Sequence, residues 1–322
     1  MSFILKSEDE YEDLLGLWAD LESGLAMLLS HPYKVQEFSS RIQQYDRWMQ
    51  NLIQYDTDVA LYLLFQLASH SPAGYSASHA LVCAVLCHLV AREVHLPPHE
   101  RDSLVHAALT MNIAMTELQD QLAVQSGRPT PAQEIALRAH EAQGAQLLGD
   151  LDVRDALWLK TVQEHHQVRP FEEDLSSLTP QRRLVHILNV VDRYAAMISP
   201  RLSREGRSAS ESAKGILKIG NTHNNQVGET LVRVVGMFPP GTYVQLDNAS
   251  VGVVLRRSQQ DNGPDVAIVL NDKGQLMRPP ALHSSADGKS AISAALPASK
   301  VQERVNHHLI LQLGTHSALE RS

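Results

Sequence analysis

The chain has 322 residues, 43% of them hydrophobic and 20% charged, with a formal net charge of −8. This length allows a large core and about two domains, and the acidic balance excludes a basic groove for a nucleic acid polymer. No stretch approaches about 18 uninterrupted apolar residues and no secretory pattern opens the sequence, so the expectation is a cytoplasmic protein with no membrane span.

Taken in order, Ser7-Glu-Asp-Glu10 has the form of a capping box and predicts a helix to about Leu29, with Leu14, Trp18, Leu21, Leu25 and Leu28 as its apolar stripe. Further helices are expected over 35–52 and 58–70. Residues 1–70 carry no chemistry and read as a helical extension, a segment for self-association or for a partner. A break at Ser71-Pro-Ala-Gly74 leads to a helix from about Ser76 to Val94. The helix expected over 99–115 is apolar almost all round, as a central buried helix is. Residues 119–129 read as a polar loop. Thr130-Pro-Ala-Gln133 pairs an N-cap with proline at the first helical position, and so does Thr179-Pro180. These predict helices to about Gly149 and to about Ser199, with a third over 155–166 between them. Two more helices, 210–219 and 227–238, precede Pro239-Pro240-Gly241. There the pattern changes to β-branched runs at 242–246, 251–256 and 266–270, separated by turn residues. A small antiparallel β appendage over 239–282 follows from this, then a Ser/Ala-rich flexible linker over 283–296 and a short helix over 300–313.

The candidate chemistry lies between His79 and Asp192. His165 and His166 are adjacent, and adjacent helical residues point about 100° apart, so both can face one pocket only at a helix end or corner. His79 and His140 fall on apolar helix faces. Asp192 shares a face with Val185, Leu188 and Ala195, where a carboxylate must be paired, protonated or metal-bound. Imidazoles with a carboxylate suit a divalent transition metal: iron, manganese, zinc or nickel. Cys83 and Cys87 read as small buried core residues in a reducing compartment. His88, His95, His99, His106, His186, His223, His307 and His308, among 16 histidines in all, read as surface or helix-end residues.

In order and spacing these residues resemble the HD-GYP subgroup of the HD superfamily, bacterial metal-dependent phosphohydrolases that cleave cyclic di-GMP. Tyr75-Ser-Ala-Ser-His79, His140-Glu-Ala-Gln-Gly-Ala-Gln-Leu-Leu148, His165-His166 and Asp192-Arg-Tyr194 are similar to successive family motifs. Thr230–Thr242 and Val251–Val254 are similar to the helix and β-tail that follow them. The resemblance implies a mainly α fold: a helical HD bundle over 71–238, the N-terminal extension (1–70), the appendage (239–282), then linker and helix (283–322). It implies His79, His140, His165, His166 and Asp192 as inherited metal ligands and Arg201 as a substrate-phosphate contact. Cyclic di-GMP is the implied ligand.

The departures fall at the centre of the family site. Met111 and Asn112 stand where the resemblance expects the His-Asp doublet, Met115 where it expects a lysine, and no Gly-Tyr-Pro loop follows His166. Loss of an imidazole and a bridging carboxylate predicts fewer ions than intact members hold, or none. The expectation is a degenerate protein of cyclic di-GMP signalling without efficient phosphodiesterase activity, acting as a nucleotide-linked binding or protein-interaction module. The alternative is an active phosphohydrolase with a reduced metal site.

Overall fold

The computed structural model describes residues 8–70, 74–167, 174–203, 206–219, 225–257, 263–284, 290–301 and 305–320. The N-terminal helices are α1 (Glu8–Ser30), α2 (Phe38–Tyr55) and α3 (Thr57–His70). The bundle proper consists of α4 (Tyr75–Glu93), α5 (Pro98–Thr110), α6 (Thr116–Ala123), α7 (Pro131–Asp150), α8 (Ala156–Glu164) and α9 (Pro180–Ile198). After α10 (Ala209–Ile219) and α11 (Gln226–Val235) come β1 (Tyr243–Leu246), β2 (Val251–Arg256), β3 (Asp265–Leu270), β4 (Leu276–Ser284), β5 (Ile292–Leu296) and α12 (His307–Glu320).

Helix α4 is the axis. Its sequence is apolar on every side, and α1, α3, α5, α6, α9 and α11 all pack against it. Among the described residues it alone is long and apolar enough to cross a membrane, and 89% of its apolar window is buried inside the fold. Leu14, Trp18, Leu21 and Leu25 of α1 join the same core as α4, α5 and α9, so the N-terminal helices complete the bundle's core. The Ser7 capping box lies outside the described residues.

Local signals set the helix starts. Thr130 accepts from the Gln133 amide while the Gln133 side chain accepts from the Thr130 amide, closing the capping box at α7. Asp155 caps α8 through the Leu157 and Trp158 amides at 2.9 and 3.0 Å and also accepts from the Ser103 hydroxyl of α5. Thr179 caps α9.

Three expectations need correction. The apolar run over 99–115 is not one helix: α5 stops at Thr110 and a 3-10 turn follows over Ile113–Met115. Thr110 sits at this stop, donating to the His106 carbonyl (2.7 Å) and accepting from the Trp158 indole (2.8 Å). The polar loop over 119–129 is in part α6, whose Gln119 and Leu122 are buried. The stretch read as flexible linker contains β5, whose small residues pair with β1 at Tyr243↔Leu296 and Val244↔Ala295.

The appendage is therefore a five-stranded antiparallel sheet in the order β4-β3-β2-β1-β5. Pro279 and Pro280 are tolerated because β4 is an edge strand. The sheet is pressed onto α3. A β-carbon at Gly241, whose φ is +85°, would lie 2.5 Å from the Tyr62 carbonyl oxygen.

Candidate metal centre

Tyr75, His79 and Cys83 follow one another at four-residue spacing on one face of α4. The start of that helix is pinned from α6, where Asp120 accepts from the Ser76 amide at 2.7 Å and its hydroxyl at 3.0 Å. Opposite, α9 presents Asp192. Its Oδ1 lies 2.8 Å from His79 Nε2, and Cys83 Sγ lies 3.6 Å from the same nitrogen. His79 is 2% exposed, Cys83 is fully buried and Asp192 is partly buried. The ligand atoms of His79, Cys83 and Asp192 lie within 4.8 Å of one another.

A second group comes from α7 and the end of α8. Helix α8 stops at Glu164, and His165 and His166 lie in the turn beyond it, which brings both rings to one side. His140 on α7 meets them: ring centroids are 5.1 Å apart for His140–His165, 5.3 Å for His140–His166 and 4.2 Å for His165–His166. The donor atoms of these three also lie within 4.8 Å of one another. Gly144, one turn after His140, allows the approach. A β-carbon there would stand 3.5 Å from Val162 Cγ1 of α8 and 3.6 Å from the Met111 carbonyl. The Met111–Asn112 corner thus packs against the helix that carries His140. Met111 is buried and Asn112 is half-buried at the break after α5.

The hydrogen bonds fix the tautomers of two rings. His140 Nδ1 lies 2.6 Å from the Leu137 carbonyl, and His165 Nδ1 lies 2.7 Å from the Val162 carbonyl. A carbonyl only accepts, so both Nδ1 atoms carry hydrogen and the neutral rings have bare Nε2 lone pairs. Those two Nε2 atoms face each other at 3.2 Å. Lone pairs so disposed repel unless a cation lies between them. A proton is disfavoured there: burial, with the neighbouring His166 ring, pulls His165 down to about 3, and burial also lowers His140.

A metal fits. With an ion about 2.0–2.1 Å from each nitrogen, the N···N distance runs from about 2.8 Å at a right angle to about 3.4 Å at the tetrahedral angle. The Asn189 amide donates to the His165 carbonyl at 2.9 Å and holds the turn in place. Burial pushes the Asp192 carboxyl up. Its hydrogen bond to His79 and the nearby His79, His165 and His166 rings outweigh that and hold it at about 2, so it is ionised at neutral pH. Asn189 sits three residues before Asp192 on α9, so its bond to the His165 carbonyl sets the two groups beside each other.

The structure thus brings together all five expected ligand residues, as two adjoining groups. Arg201, the expected phosphate contact, is linked to them through Tyr75. It donates to the Tyr75 hydroxyl at 3.0 Å and stacks 4.6 Å from the ring centroid, and Tyr75 in turn stacks on His79 at 5.6 Å. Arg201 also lines a cavity of about 440 Å³ between the end of α9 and the appendage, together with Arg207, Ser208 and Tyr243. Arg193 is exposed, and Arg169 lies outside the described residues.

Cys83 is buried in the core, as the sequence predicts, and also joins His79 and Asp192, a contact its place four residues after His79 on a helix could have signalled. Two histidines also depart from the surface reading: His88 and His106 are buried, and His106 Nε2 lies 3.2 Å from Asp46 Oδ2.

No family model matches the chain. Over 192 residues it is 27% identical to a cyclic di-GMP phosphodiesterase of Pseudomonas aeruginosa, a match covering 57% of this chain and 45% of that protein. The chain thus spans just under half the length of that relative. A solved HD-GYP-type protein of Bdellovibrio bacteriovorus aligns with 66% of this chain and 68% of its own at a TM-score of 0.48 and 15% identity. The ordered motifs resemble those of the HD-GYP subgroup, and over the aligned residues the sequence is similar to a cyclic di-GMP phosphodiesterase.

Proposed function

We propose that the chain is a metal-holding module of cyclic di-GMP signalling that binds a nucleotide or a protein partner and lacks efficient phosphodiesterase activity. The observation that carries this reading is the Met111–Asn112 corner, packed against His140's helix where the resemblance expects a histidine and a bridging aspartate. In intact members bound ions lower the pKa of a bridging water and stabilise charge on the phosphodiester under attack. Here His140, His165 and His166 would hold an ion and Asp192 would add negative charge. Met111 offers only a thioether, a poor donor to hard ions, and Asn112 is neutral, so the charge that keeps two ions close is missing. Arg201, stacked on Tyr75, would meet a ligand phosphate. The cavity it shares with Arg207 supports a ligand on that side.

Metal content, cyclic di-GMP binding and cyclic di-GMP turnover with Mn²⁺ or Fe²⁺, all measured on one preparation, test the proposal. The expected result is bound metal with turnover at least a hundredfold below that of the P. aeruginosa phosphodiesterase assayed alongside. Comparable turnover would overturn it.

The facing Nε2 atoms of His140 and His165 favour a second reading, a hydrolase working with a reduced metal set on a phosphoester. On that reading His166→Ala abolishes a measurable activity. An activity unchanged in that variant removes it.

A further inference from the structure

Cys83 occupies a position that the inherited ligand set does not explain. It lies one turn beyond His79 on α4, fully buried, with its sulfur directed at the nitrogen that faces Asp192. Two donors on one tetrahedral zinc ion, a nitrogen at about 2.05 Å and a thiolate at about 2.3 Å, stand about 3.6 Å apart. Cys83 Sγ and His79 Nε2 are 3.6 Å apart. Asp192 supplies the third donor, and all three ligand atoms lie within 4.8 Å of one another. The departures at Met111 and Asn112 leave the chain without a nitrogen and an oxygen donor that the family resemblance expects.

We propose that Cys83 is a thiolate ligand which, with His79 and Asp192, forms a metal site selective for zinc over manganese and iron. The inference rests on the reading of the pocket as metal-holding and goes beyond it by naming a new donor and the ion class it selects. Thiolate with imidazole and one carboxylate is a zinc donor set, whereas manganese and iron(II) favour the nitrogen and oxygen donors that have been lost. As the sulfur–metal bond forms, the thiol proton leaves for solvent. His79 coordinates through Nε2 and carries its ring proton on Nδ1, and the Asp192 carboxylate turns from that hydrogen bond to the ion. Cys87, equally buried one turn further on, is absent from the cluster and serves as the internal control.

Cobalt(II) substitution of the full chain, followed by ultraviolet–visible spectroscopy, reads sulfur ligation without any assay of activity. The expected result is a thiolate-to-cobalt charge-transfer band in the wild type and in Cys87→Ser, absent from Cys83→Ser and Cys83→Ala. Zinc affinity should fall at least tenfold in Cys83→Ala while manganese affinity changes by less than twofold. Should the Cys83 variants fail to fold, zinc X-ray absorption on the wild type replaces them, and one sulfur scatterer at about 2.3 Å is expected. Stoichiometric cobalt with no charge-transfer band, or zinc bound by nitrogen and oxygen alone, overturns the inference and leaves the metal-holding reading standing. If the wild type binds no cobalt or zinc at all, both fall.

Discussion

At the scale of single residues, histidine burial makes the fold sensitive to acid, and His88 shows the effect apart from the metal centre. His88 is 2% exposed on α4, and neither ring nitrogen has a hydrogen-bond partner. Burial pulls it down to about 4, against the opposing influence of Asp46 and Asp102 and with the help of Arg92 and Arg101. The unfolded chain takes up this proton near pH 6.5, while the folded chain resists it until about pH 4. Stability is therefore fully present above about 6.5 and declines as the pH falls towards 4. From this residue alone the loss between pH 7 and pH 5 is about 2 kcal/mol. Urea unfolding at the two pH values should show that difference narrowing by a similar amount in His88→Phe. A difference left unchanged by the substitution would mean that other groups set the acid response. His165, pulled down to about 3, adds to the same window with the same sign.

At the scale of elements, the join between appendage and bundle is ionic as well as apolar. Arg256 of β2 reaches Asp56, just before α3, at 2.5 Å and the Gly314 carbonyl of α12 at 2.7 Å. Arg257 reaches Asp58 of α3 at 2.5 Å and the Val234 carbonyl of α11 at 2.7 Å. Asp56 also accepts from the Asp58 and Val59 amides, so it holds the start of α3 and an arginine of the sheet at once. The Arg256–Asp56 side chains are only 15% and 8% exposed. Removing one member leaves a poorly hydrated charge, which costs about 3 kcal/mol. Arg256→Met should lower urea stability by about that amount, and hydrogen exchange should speed up first in β1 and β2. Uniform acceleration across the whole chain would instead mean that sheet and bundle open as one unit.

At the scale of the whole molecule, the donor residues come from α4, α7, the turn after α8, and α9, so ions in the two groups would tie α4 to α9 and α7 to the end of α8. Only the folded chain presents those donors as a set, and an ion that binds the folded state raises stability by mass action, about 2.7 kcal/mol at a hundredfold excess over Kd. Added zinc should therefore raise the melting temperature in a concentration-dependent way, and a chelator should reverse the rise. His165→Ala should remove the part of that response owed to the His140–His165–His166 group and leave the part owed to His79, Cys83 and Asp192. A response undiminished in that variant would mean that the histidine group holds no ion. In the metal-free state this substitution also relieves two opposed lone pairs, which offsets part of the packing lost.

Residue order and pattern alone determined a large share of this protein. The helical class, the capped starts of α7 and α9, the change to strands after Pro239-Pro240-Gly241 and the order of the five candidate donor residues are all local properties of the chain. Capping, periodicity and motif spacing act over a few residues, which is why they can be read without the fold. Tertiary structure decided what depends on neighbours distant in sequence. The end of α5 is set where Thr110 meets Trp158, and β5 is a strand because β1 offers its edge to small residues with little propensity of their own. His88 and His106 are buried because other helices cover them. The facing nitrogens of His140 and His165 arise only when α7 packs on α8, and the place of Cys83 beside His79 and Asp192 only when α9 packs on α4. A cysteine in an apolar helix looks the same in sequence whether or not a carboxylate stands opposite it, and only the approach of α9 makes the difference.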